Sequence, residues 1–353
     1  MTVSSAANTA ALAHVTAAGG ARRAQALRRL RDVPDVPSLI EAVSEHGRVT
    51  LNFHPDRVAS DGRTVAEALA ADGIYRGQYE TGISNGGRTA FPGGDRDQWE
   101  LNLFGGIYHQ GEVPPAGRPK YGALNLAGHA DGGAPRFGSC HVRLRPQVNA
   151  RCTFTFHDSH LGPADVGTMA AFECVLAGLF EEAAGTGHVL GLAGADPVDL
   201  LRKLPVQSFD PAALGRSLDD YIEAQVHGVV DLTTDAEAIV ADPSFRGTRT
   251  HELLEQVART CGISLEWHAG FQMLPAELDD EFRGPEVPPF ADRVCAQYAG
   301  PAGVFDAEVI GRAAQSVARE PGRWAEWGTQ DETLQLVKYM WHTLVLFGVG
   351  SAR

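Results

Sequence analysis

The chain has 353 residues, 44% hydrophobic and 21% charged, with 44 acidic and 30 basic residues giving a net charge of −14. That composition excludes a fibrous or wholly disordered protein. The acidic balance argues against a broad nucleic-acid surface while leaving room for a local basic pocket that takes a phosphate-bearing ligand. The length fits one large domain, or one domain with substantial additions.

The five cysteines, Cys140, Cys152, Cys174, Cys261 and Cys295, are odd in number, widely spaced and free of any CxxC. A reducing compartment is therefore expected, rather than a disulfide framework or a structural zinc site. No run of about twenty apolar residues occurs, so no membrane span is expected. The order of a secretory signal is missing at the N-terminus. A cytoplasmic location is expected, with specialised export that leaves no readable signal as the alternative.

Residues Ala6 to Glu45 read as helical, and the arginines Arg22, Arg23, Arg28, Arg29 and Arg31 read as a solvated helix face. Arg48 to Phe53 is rich in β-branched and aromatic residues and reads as a strand, stopped by Pro55. Thr64 to Ala71 reads as a short helix. Asp72 to Tyr108, with Gly86-Gly87 and Pro92-Gly93-Gly94, reads as ordered loop and not helix.

Strand patterns recur in YGALNL, CHVRLRP and RCTFTF between Tyr121 and Phe156. In the second of these, His141, Arg143 and Arg145 alternate with Val142 and Leu144, as in a half-buried strand. Met169 to Ala184 reads as a helix and Tyr221 to Leu232 as a strand. Helices are expected at His251 to Thr260 and Phe305 to Arg319. The apolar run Leu334 to Val349, interrupted by Lys338 and His342, reads as a buried closing helix. Strands clustered between helical flanks imply an α+β core rather than alternating βαβ units.

Four constellations could carry chemistry. At the end of the first strand, His54 and Arg57 project beside each other, and Arg suits bidentate phosphate binding. The plainer reading is an ion pair between Asp56 and Arg57. Next, YRGQYETGISNGG (Tyr75 to Gly87) packs Gln78, Glu80, Thr81, Ser84 and Asn85 among glycines that let a backbone approach a ligand closely. It matches G-x-S-x-G but lacks the strand before and the helix after that a nucleophile elbow needs.

In the third, YIEAQVH, a period of two puts Ile222, Ala224 and Val226 on one face. Tyr221, Glu223, Gln225 and His227 take the other, which suits a cleft wall carrying a carboxylate. The fourth is a scatter of His-x-Asp and His-Asp sequences (His54/Asp56, His129/Asp131, His157-Asp158 with His160), which a metal centre could use. Walker A and Rossmann fingerprints do not occur.

Taken together, NFHPDR, GIYRGQYETGISNGG, RPKYGALNL, RFGSCHVRLRP, RCTFTFHDS, YIEAQVHG and DPSFRGT resemble a bacterial family of unknown-function proteins grouped with the ADP-ribosyltransferase-like folds. The family is akin to bacterial effector mono-ADP-ribosyltransferases, and the resemblance covers about Arg48 to Gly284. It implies a split β-sheet core at 48–235, an N-terminal helical segment at 1–47 and a mainly helical extension at 236–353 packed on the core.

It further implies three elements in order: His54 and Arg57 on the first strand, Thr81 with Ser84 or Ser139 as the second, and Glu223 as the catalytic carboxylate of the third. Here the third element is Glu-x-Gln, so Gln225 competes with Glu223 for the catalytic position. NAD would be the substrate, with Gln78 and the backbone of its loop helping to hold it.

The expectation is an NAD-dependent mono-ADP-ribosyltransferase acting on an unknown acceptor, foremost a protein. The alternatives are an NAD glycohydrolase, a metal-dependent hydrolase using the His/Asp pairs, and a non-catalytic NAD-binding module.

Overall fold

In the computed structural model, which describes residues 3–83, 90–111 and 113–350, the run after Arg48 forms strand β1 (Val49–Phe53) with every residue buried. Seven further strands join it: β2 (Lys120–Leu124), β3 (Cys140–Leu144), β4 (Cys152–Phe156), β5 (Val166–Gly167), β6 (Ile222–Val226), β7 (Ala236–Ala241) and β8 (Ser264–Trp267). Their order across the sheet is β8-β7-β3-β1-β2-β6-β4-β5, with β7 and β8 parallel and the other neighbours antiparallel. Two strands of this sheet thus come from beyond residue 235. The architecture is mixed α+β, with one large mixed sheet and helices packed around it.

The sheet is not evenly paired. β1 follows β3 from Thr50 to Phe53, but it pairs with β2 only at Val49 and Thr50. Beyond that point β1 and β2 part, and Asn52 and Phe53 of β1 and Tyr121 and Gly122 of β2 line one cavity. Gly122 of β2 is required where they separate, because a Cβ there would run into the Thr50 carbonyl. On its other side β2 pairs with β6, placing Ala123 opposite Glu223 and Tyr121 opposite Gln225.

The N-terminal helical run is two helices, α1 (Val3–Arg29) and α2 (Val36–His46), divided by a turn in which Asp35 has φ 51°. Arg22, Arg23 and Arg28 of α1 are exposed, as a solvated face requires, but three of the α1 arginines also bind neighbouring segments. Arg22 reaches the Ala164 carbonyl, Arg23 binds Glu173 at 2.7 Å, and Arg29 binds both Asp165 and Glu181 at 2.6 Å. Thr64 caps α3 (Val65–Asp72) with a reciprocal Glu67 capping box.

The stretch expected as loop between Asp72 and Tyr108 contains a single helical turn α4 (Gln78–Thr81) and a full helix α5 (Asp95–Leu103). Gly94 occupies the N-cap of α5, and Asp95 and Asp97 in its first turn complement the helix dipole. The helix expected from Met169 starts later, as α6 (Glu173–Thr186). The long strand expected to Leu232 ends at Val226, because Gly228 turns with φ 84°.

After β7 come α7 (Arg249–Cys261), α8 (Val287–Tyr298), α9 (Ala307–Arg319) and α10 (Gln330–Phe347). The closing helix α10 is indeed buried through Val337, Met340, Trp341, Leu344 and Val345, and it is tied to the β1 side by Trp341 Nε1–H to the Pro135 carbonyl at 2.8 Å. Among the described helices none is long and apolar enough to cross a membrane.

Candidate active site

The gap between β1 and β2 opens into a cavity of about 210 Å³. One wall is the end of β1 with Asn52, Phe53, His54 and Arg57. A second is the segment from Ile74 to Ile83, and the third is Tyr121 and Glu223 with Arg96 and Asp158 at its rim. Five of the residues predicted from sequence therefore meet here: His54, Arg57, Gln78, Thr81 and Glu223. Ser84 lies outside the described residues. Ser139 is buried at the foot of β3, away from the cavity, where its carbonyl accepts from His268 Nε2 at 3.0 Å. Gln225 is wholly buried behind Glu223 and does not line the cavity either.

The β1 wall holds groups with few partners. Among the described residues Arg57 has no carboxylate within ion-pair distance, and the ion pair with Asp56 does not form. Burial pulls the Arg57 guanidinium below its ordinary range. Asp56 is 3% exposed and neither of its oxygens finds a hydrogen-bond donor among the described residues. Burial pushes its carboxyl up to about 7. His54 packs edge-on against Trp341 of α10, with ring centroids 5.1 Å apart. Burial and the Arg57 charge hold it neutral, down to about 3.

In α4, Glu80 and Thr81 spend their side chains on the turn itself. Gly77 N–H donates to Glu80 Oε2 at 2.8 Å, and Thr81 Oγ1 donates to the Gly77 carbonyl at 3.1 Å. Gln78 Oε1, by contrast, is buried with no donor among the described residues.

On the opposite wall both carboxyls are hydrogen-bonded. Glu223, 5% exposed, accepts from Gln225 Nε2 at 2.7 Å and from the Ser159 N–H at 3.4 Å. Burial, and after it the Asp158 charge, push its carboxyl up to about 7. Burial works on Asp158 in the same direction, yet its carboxyl stays below the ordinary range. The His160 N–H at 3.0 Å, the Tyr221 hydroxyl at 2.7 Å and the His160 ring at 2.8 Å all favour its charged form. Two neighbouring carboxyls with separated affinities for the proton form the pattern of an acid/base site. The guanidinium of Arg96 lies over the Tyr121 ring at 4.2 Å, and its Nε is buried without an acceptor among the described residues.

Residues 48–347 match the family model described as protein of unknown function (DUF3626). The chain belongs to this DUF3626 family. No curated protein matches it. Every residue lining the cavity falls within the DUF3626 span, while α1 and α2 precede it.

Sequence reasoning missed Arg96, Tyr121 and Asp158 in this DUF3626 site. Arg96 stood in a stretch read as loop. Asp158 was grouped with its flanking histidines as a metal pair. His54 and Asp158 of these His/Asp pairs line the cavity, and the remaining members are spent elsewhere. His129 Nε2 meets the Leu190 carbonyl, Asp131 accepts from Gly215 and Arg216 N–H, and His157 pairs with Glu182. Among the described residues no three His, Cys, Asp or Glu side chains gather as a metal site.

Proposed function

We propose that this chain binds NAD in the cavity between β1 and β2, breaks its nicotinamide–ribose bond and transfers ADP-ribose to an acceptor. The observation that carries this reading is the pairing, in one cavity, of a guanidinium with no carboxylate partner among the described residues and a carboxyl fixed on a rigid strand. Arg57 would take the pyrophosphate, because a desolvated guanidinium gains most from an anion that arrives with the ligand. The parting of β1 from β2 also fits the split sheet of the ADP-ribosyltransferase-like folds.

The chemistry follows from the charges. As the C1′–N bond breaks, its electron pair leaves with nicotinamide, and positive charge develops on the ribose. Ionised Glu223 accepts a hydrogen bond from a ribose hydroxyl and offsets that charge. The acceptor's lone pair then bonds to C1′, and its proton passes to Asp158, the carboxylate kept ionised beside the site. That Glu223 lines the cavity while Gln225 stands behind it supports Glu223 in the catalytic position.

The test is incubation with NAD, with and without cell lysate, following nicotinamide and labelled protein. Release that vanishes in Glu223→Gln, with a labelled band in the wild type, is the expected result. Release without any labelled acceptor would make water the acceptor. No release and no NAD-induced thermal shift would overturn the proposal.

A further inference from the structure

Behind Glu223 the polar face of β6 continues into the protein as an unbroken line of hydrogen bonds. Glu223 Oε1 lies 2.7 Å from Gln225 Nε2, and Gln225 Oε1 lies 2.6 Å from Thr153 Oγ1 on β4. Thr153 Oγ1 is 3.0 Å from His227 Nε2, and His227 Nδ1 is 2.5 Å from the Tyr108 hydroxyl. The Tyr108 hydroxyl in turn lies 2.8 Å from Asn8 Oδ1 on α1. Thr153, Gln225, His227 and Tyr108 are all at most 2% exposed, so water does not compete for these bonds.

The protons of Thr153 and Gln225 set the direction at the Glu223 end. Thr153 has one hydroxyl proton, and the Gln225 carbonyl oxygen can only accept, so the proton goes to Gln225. The contact between Thr153 and His227 then needs a proton on His227 Nε2. Burial, with Arg151 and Lys120 nearby, keeps this imidazole neutral, so Nδ1 is bare and Tyr108 donates to it. With Asn8 Oδ1 facing Tyr108, the opposite tautomer would give the Tyr108 proton to Asn8 and leave none between His227 Nε2 and Thr153. The Nε2–H tautomer fills that contact and requires the Asn8 amide turned so that its Nδ2–H donates to Tyr108.

We infer that Tyr108, His227, Thr153 and Gln225 form a one-way donor relay that fixes the Glu223 carboxylate and stabilises its charge. Each member is a positioning residue, acting on the site through Glu223. Bonds aligned head to tail polarise one another, so the last donor, Gln225, is strengthened by those behind it. Two glutamine N–H groups are thereby assigned, one to Glu223 and the other to Thr155 Oγ1 at 3.4 Å. This also gives Glu-x-Gln a physical sense: the glutamine is the donor that a second carboxylate could not be. The groups facing Glu223 besides the relay are Asp158 from the segment after β4, Arg96 on α5, Tyr121 on β2 and Tyr221 before β6. Those facing its inner end are Glu100, Arg118, Lys120 and Arg151.

The relay is read off without any activity; only its effect on turnover rests on the NAD-cleaving proposal. The test is therefore in the full-length protein by NMR. Histidine ¹⁵N shifts near neutral pH should show His227 as the neutral Nε2–H tautomer, and carboxyl ¹³C shifts should follow Glu223, assigned through Glu223→Gln. Thr153→Val cuts the line and should move the Glu223 titration upward by roughly one pH unit, and Thr153→Ser should restore it. Tyr108→Phe, which keeps the ring, should give a smaller shift in the same direction and serves if Thr153→Val does not fold. If the chain cleaves NAD, the acid limb of its pH profile should move with the titration. An Nδ1–H tautomer in the wild type, or an unmoved Glu223 titration in folded Thr153→Val or Tyr108→Phe, would overturn the relay whether or not NAD is cleaved.

Discussion

The two sides of the split sheet carry similar polar groups in opposite states of bonding. Among the described residues, the Asp56 oxygens and Asn52 Oδ1 at the end of β1 and Gln78 Oε1 on α4 are buried without donors, and Arg57 has no carboxylate within ion-pair distance. On the β6 side Glu223, Gln225 and His227 are all bonded, in a line that reaches α1. Bare buried groups cost stability unless something binds them, whereas a saturated network is rigid. Arg57 and Gln78, which line the cavity, are therefore suited to receive a ligand, whereas the Asp56 carboxyl faces Gly311 of α9 outside it; the β6 side is suited to hold a reacting group still.

The largest expected effect breaks the rigid wall. Glu223→Gln keeps the shape and removes the charge, and it should lower nicotinamide release by about 10²–10³-fold while leaving NAD affinity within a few-fold. The receiving wall should behave the other way. Arg57→Ala should weaken NAD binding by roughly 10–100-fold, measured by calorimetric titration, and Arg57→Lys should recover only part, because an ammonium does not present the forked donor pair.

A third prediction separates stability from function. Asp56 in the folded chain holds its proton up to about 7, well above its ordinary value, so folded protein binds more protons than unfolded protein between about pH 4 and 7. Its ionisation therefore removes stability as pH rises through that window, and the loss is complete above about 7. Asp56→Asn does not titrate. Relative to the wild type it should gain on the order of 1–4 kcal/mol between pH 4 and pH 8, read from urea unfolding at both values. A constant difference would show that Asp56 is already paired.

The smallest effect is expected at Gly311 in α9. Gly to Ala in a helix ordinarily stabilises. Here a Cβ would collide with the Asp56 carboxyl, so Gly311→Ala should destabilise by about 1–3 kcal/mol.

How much of this was legible in the sequence differs between the same two walls. The alternation in YIEAQVH was enough to put Glu223, Gln225 and His227 on one face, because the strand period is 2 and one side is apolar. It could not show that Glu223 meets the cavity while Gln225 and His227 are sealed behind it. That depends on α5 and on Tyr108, more than 100 residues away in the chain and within a stretch whose glycines suggested loop. At the end of β1 the residue types announced His54 and Arg57, and Pro55 announced that the strand stops. The missing ion pair between Asp56 and Arg57 was not legible, since neighbours in sequence need not face each other once the strand turns. Asp158 was visible only as a neighbour of histidines. Its place beside Glu223 comes from the antiparallel pairing of β4 with β6, which sets Thr155 opposite Glu223.

The most direct measurement is a parallel determination of NAD affinity and nicotinamide release on the wild type and Glu223→Gln at one pH above 7. Similar affinity in both proteins, with release in the wild type alone, is the expected result. Equal release from both, or a wild type that does not bind NAD, would contradict it.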